Sequence, residues 1–117
     1  MRLCLVLIAI LTLACQKSEQ VKTDPSFKDD VQPILSASCA TSGCHSGAAP
    51  SGSYDLSSRA GAMGNGSDTI PNVIPGNADS SKLYQRIDYG EMPPSAPLDN
   101  MKSATIRNWV NKGAKDN

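Results

Sequence analysis

The pattern of apolar and polar positions divides the chain into a leader, a tether and a folded part. Residues 1–15 are apolar except at Arg2 and Thr12, and no comparable run follows. The stretch from Leu3 to Leu13, apolar except for Thr12, is too short for a membrane span of ~20 residues, but it fits the apolar region of a secretory signal peptide. Residues 16–24 are polar apart from Val21 and show no period, which predicts a flexible tether. Asp24-Pro25 then predicts a helix start, with Asp24 as the cap and Pro25 in the first turn. Phe27, Val31, Ile34 and Leu35 follow as one apolar stripe at helical spacing. Pro33 removes a backbone donor within that stripe, so a kink or restart is expected near Gln32.

Residues 38–78 are dense in Ser, Gly, Pro, Asn and Asp, and predict a long loop with one helical turn near Leu56–Ala60. A loop of that length in a compact domain needs something to wrap around. A helix is expected over 80–88, capped by Asp79 or Ser80, with Leu83, Tyr84 and Ile87 on one face. Tyr89 to Pro94 reads as a stiff extended segment. The last helix is expected from Asp99 to Lys112, with Met101, Thr105, Ile106, Trp109 and Val110 inward and Gly113 as terminator. No strand pattern occurs, so the fold class is all-α, with three to four helices and a domain over residues 25–114.

Composition sharpens this picture. The chain has 117 residues, 11 basic and 11 acidic, so without Arg2 the remainder is close to a charge of −1. With no basic run, nucleic-acid binding is set aside. Nine Gly and eight Pro all lie beyond residue 15, alongside one Phe, one Trp and three Tyr. So few large apolar side chains make a small domain marginal by burial alone; a staple, a metal or an apolar cofactor is required.

The leader ends Leu11-Thr12-Leu13-Ala14-Cys15. A small residue before a Cys at the end of such a run resembles the bacterial lipoprotein processing site, with Thr12 departing from the commonest residue at its position. That resemblance implies lipidation of Cys15, and cell-envelope localisation facing the periplasm or exterior. Ordinary signal cleavage and an uncleaved anchor are the alternatives. Outside the cytosol, paired cysteines are expected to be crosslinked or ligated.

The remaining chemistry is concentrated in Cys39-Ala40-Thr41-Ser42-Gly43-Cys44-His45, which holds the sole histidine. Two cysteines followed directly by histidine is the order of a c-type haem site, in which the thiols form thioethers and the imidazole lies under the iron. Four residues separate the cysteines here instead of the usual two, and the small spacer residues are expected to bulge outward. On the heptapeptide alone, a Cys39–Cys44 disulfide and a zinc site remain open, although zinc usually needs four protein ligands. Met92, just before Pro93-Pro94, is the candidate second axial ligand. Met101 is expected in the core, and Met63 in a Gly-rich run with nothing to hold its sulfur still. Asp88 and Glu91 flank the strap as solvated loop residues.

Five segments occur in order: Phe27–Ile34 (F-K-D-D-V-Q-P-I), Cys39–His45, Pro75–Tyr84 (P-G-N-A-D-S-S-K-L-Y), Met92-Pro93-Pro94, and Ile106–Ala114 (I-R-N-W-V-N-K-G-A). Together they resemble the small monohaem cytochrome c domains called planctomycete-type, over roughly residues 26–114. The resemblance implies a class I cytochrome c-like fold, with terminal helices packed together and loops wrapped around the haem. It implies covalent haem c on Cys39 and Cys44, with His45 proximal and Met92 distal. One-electron exchange with redox partner proteins follows, without enzyme activity or a small-molecule substrate. Arg59 and Arg86 are candidate partners of the haem propionates, with ordinary surface placement the plainer reading. Burying several hundred Å² of haem at ~25 cal/mol per Å² contributes several kcal/mol, comparable with the stability of a small domain. A haem-free disulfide-stapled binding lipoprotein, and an open-site haem enzyme or sensor lacking Met92 ligation, are the rival functions.

Overall fold

Ser26 opens the first helix, because it offers a reciprocal cap that Asp24 does not. In the computed structural model, which describes residues 20–117, the Ser26 hydroxyl accepts from the Asp29 amide at 3.2 Å. The Ser26 amide in turn donates to the Asp30 carboxylate at 2.9 Å. Two orphan donors are thus satisfied at the start of the helix. The expected start at Asp24-Pro25 therefore moves two residues on, and Pro25 is buried ahead of it. The opening turn, Phe27–Val31, is π-helical and runs directly into α1, Gln32–Ser38. That change of winding stands where Pro33 placed a restart.

The other helices among the described residues are α2 (Arg59–Ala62), α3 (Lys82–Asp88) and α4 (Asn100–Asn111), and no strand is present. α4 begins as expected, with the Asp99 carboxylate accepting from the Lys102 amide at 2.9 Å. It ends at Gly113, φ 100°, where the Ala114 amide reaches back to the Trp109 carbonyl at 2.9 Å. α2 lies three residues later than the turn expected at Leu56, because Ser58 supplies its cap to Gly61. α3 begins after Ser81, not after Asp79 or Ser80. The Asp79 side chain is drawn instead to Arg107 of α4, at 3.3 Å. The buried Ser81 hydroxyl accepts from the Ile74 amide at 2.8 Å and donates to the Asn77 carbonyl at 2.7 Å.

The core lies where the opening helix crosses α4. The Phe27 and Trp109 rings are tilted against each other with centroids 5.2 Å apart. Val31, Leu35, Ile106, Trp109 and Val110 are almost wholly covered. Met101 is only half-buried, against the inward placement expected for it, and lines a separate groove with Lys22, Asp30 and Ile34.

The chain leading into the domain is also fixed to this face. The Lys22 carbonyl accepts from the Asn108 side-chain amide at 2.7 Å, and its ammonium pairs with Asp30 at 3.5 Å. The expected tether to residue 24 is thereby pinned at Lys22. Residues 1–15, with Cys15, and the first part of the tether lie outside the described residues. None of the described helices is long and apolar enough to cross a membrane.

Candidate functional site

Cys39 is set by the end of α1. Its amide and that of Ala40 both donate to the Leu35 carbonyl, at 2.9 and 2.7 Å, which tightens the last turn and buries the thiol. The chain then leaves the helix as a closed loop. The His45 amide returns to the Cys39 carbonyl at 3.0 Å, and the Cys44 amide to the Thr41 carbonyl at 3.0 Å. Thr41, Ser42 and Gly43 are exposed, so the spacer bulges outward as its small side chains suggested. Gly43 takes φ 78°, in the region other residues rarely enter. Both thiols are free, with Cys39 buried and Cys44 half-buried. Burial, and then the nearby charge of Cys44, push the Cys39 thiol up to about 11.

The His45 carbonyl accepts from the Leu56 amide at 2.8 Å, which anchors the backbone beyond the loop. The imidazole meets the Tyr54 ring edge-on, with centroids 6.3 Å apart. Its Nδ1 is buried without a hydrogen-bond partner among the described residues. A buried polar atom left unpaired costs roughly 1–3 kcal/mol, so this ring is built to be completed by a further group.

Met92 is delivered from the C-terminus of α3. The Arg86 carbonyl accepts from both the Glu91 and Met92 amides, each at 3.0 Å. The Gly90 amide donates to the Ile87 carbonyl, also at 3.0 Å. The segment is therefore a turn and bend with a cis Met92–Pro93 bond, not the extended run expected over Tyr89–Pro94.

Cys39, Cys44, His45 and Met92 all line one cavity of about 780 Å³. This lies within the roughly 300–1,000 Å³ usual for cofactor sites. Leu56, Leu83, Ile87, Pro93 and Pro94 supply apolar wall. Among the described methionines Met92 alone lines it, at 38% exposure. Met63 is half-buried against the apolar core, which corrects the expectation that nothing would hold it. The described Cys, His, Asp and Glu residues form no cluster of three suited to a bare metal ion. A planar, largely apolar group that brings its own metal and bonds to thiols fits this donor set.

One wall is polar, and sequence reasoning missed most of it. The Tyr54 hydroxyl donates to the Asp68 carboxylate, which also pairs with the Lys82 ammonium. These two hydrogen bonds hold the Asp68 carboxyl below its ordinary value, Lys82 contributing most. Arg86 pairs with Glu91 on the same rim. The spacing of Lys82 and Arg86, one helical turn apart, was the available signal. Arg59 is committed elsewhere, its Nε donating to the Ala114 carbonyl at 2.8 Å. Asp88 accepts from the Tyr84 hydroxyl at 3.1 Å.

No curated protein and no solved structure matches the chain. A family model described as Planctomycete cytochrome C matches residues 42–96, a stretch that contains Cys44, His45 and Met92 and begins three residues after Cys39. Over that stretch, a little under half of its length, the chain is similar to the planctomycete-type cytochrome c family.

Proposed function

We propose that the protein is a membrane-tethered one-electron carrier with haem c bound through Cys39 and Cys44, His45 and Met92 as axial ligands, and Cys15 as the lipid-modified residue. The observation that carries this reading is the convergence of Cys39, Cys44, His45 and Met92 on one cavity. A haem bound there supplies a one-electron iron couple whose potential is raised by a thioether ligand relative to two imidazoles. Cys39 and Cys44 fasten the group through their sulfurs, and the loop closed between Cys39 and His45 sets the imidazole beside them. The double hydrogen bond at the Arg86 carbonyl positions the Met92 backbone, and hence where its thioether starts from. Leu56, Leu83 and Ile87 exclude water from the cavity floor. With His45 and Met92 both holding the metal, no substrate site would be left on it, and transfer between partner proteins would be outer-sphere. The resemblance of residues 1–15 to a lipoprotein leader supports a location in the bacterial cell envelope, facing the periplasm or exterior.

A pyridine haemochrome assay on the purified protein tests the reading. Colour that resists acid–acetone extraction is expected, with the weak far-red band of a Met-ligated ferric haem that Met92→Ala abolishes. A colourless yet cooperatively folded protein would falsify the haem reading, and a high-spin spectrum would favour an open-site haem protein. Acyl labelling of whole cells, lost in Cys15→Ser, tests the anchor separately.

A further inference from the structure

We infer that Lys82 and Arg86 form a two-cation clamp that receives the two carboxylates of the haem and so fixes which edge of the macrocycle faces α3. This inference rests on the haem reading and adds an orientation to it.

Lys82 and Arg86 stand four residues apart on α3, so their side chains leave the same face with Cβ atoms about 5–6 Å apart. Both line the cavity, and they are the only Lys or Arg among its lining residues. Leu83 and Ile87 of the same helix, with Leu56 from the loop, provide apolar wall beside them. The cavity is thus amphipathic in the same sense as a haem, an apolar plate with two carboxylates on one edge. Two carboxylates brought to such a wall without cations would carry a large desolvation cost, which the clamp offsets.

Each cation is held in place before any carboxylate arrives. Asp68 grips Lys82 and is itself fixed by the Tyr54 hydroxyl, while Glu91 grips Arg86. Neither grip exhausts its donors, since an ammonium has three and a guanidinium five. Lys82 is the more enclosed of the two, its side chain 19% exposed against 53% for Arg86. The other sequence candidate, Arg59, does not line the cavity and is occupied by the Ala114 carbonyl.

The test reads the haem carboxylates directly. Holoprotein grown on aminolevulinic acid labelled with carbon-13 at its carboxyl carries the label in the propionates, whose stretching bands appear in redox-difference infrared spectra. Lys82→Met and Arg86→Met are each expected to move one labelled band, and the double variant both, while Lys28→Met on the opening helix moves neither. The same two variants are expected to shift the reduction equilibrium severalfold toward the oxidised form. A tenfold shift corresponds to about 59 mV for one electron. Should Lys82→Met not accumulate, Lys82→Arg keeps a cation for Asp68 and still displaces the band. Labelled bands unmoved in every variant at these two positions would overturn the clamp while leaving the haem reading intact. A colourless parent protein would instead overturn the haem reading itself.

Discussion

The backbone amide of His45 donates to the carbonyl of Cys39 at 3.0 Å, so the two ends of the cysteine–histidine segment are tied to each other by the main chain. That single bond shows how a four-residue spacer can keep both ends of the segment together. The extra length is taken up by exposed Thr41, Ser42 and Gly43, while Cys39 stays at the end of α1 and Cys44 stays beside it.

The loop has one conformationally demanding position. Gly43→Ala meets no steric obstacle but places an L-residue at φ 78°. A loss of about 1–2 kcal/mol in urea unfolding is expected, with a reduced yield of covalent haem. An unchanged midpoint would show that the loop relaxes freely.

Trp109 closes the core against Phe27 and also donates from its indole to the Lys115 carbonyl at 2.9 Å. Trp109→Ala should cost about 3–5 kcal/mol in denaturant unfolding of the holoprotein. Trp109→Phe keeps most of the ring contact and should recover more than half of that loss.

Acid should act on the polar wall through Asp68. Its carboxyl lies below the ordinary aspartate value because Lys82 and Tyr54 hydrogen-bond to it. The folded form therefore favours the ionised group, a stabilisation present above the ordinary aspartate range and lost as pH falls through the lowered folded value. Urea midpoints followed from about pH 6 down to about pH 3 should fall less steeply in Asp68→Asn than in the parent. Parallel profiles would remove Asp68 from the acid response.

Local signals were legible and distant ones were not. α4 was readable to within a residue because its cap, Asp99, and its stripe of Thr105, Ile106, Trp109 and Val110 lie within one short segment. Cys39, Cys44, His45 and Met92 could be singled out for the same reason, and the structure brings them to one cavity. Ser26 was missed as a cap because its advantage over Asp24 depends on Asp30 reaching back to its amide. The Tyr54–Asp68–Lys82 cluster spans two intervals of 14 residues through a loop without period, so nothing in the sequence joined its members. Met101 misled because a position on the inward stripe of α4 can still open onto a groove at the helix start.

The pinning of Lys22 to Asn108 bears on how far a lipid-anchored domain could roam. For a chain anchored at Cys15 as proposed, seven residues of sequence lead from the anchor to the pinned Lys22. At ~3.3–3.6 Å each they reach no more than about 25 Å. If Cys15 carries the proposed lipid, the domain would keep to a thin shell over that surface, and a protein exchanging electrons with it would have to protrude from the surface or come to it.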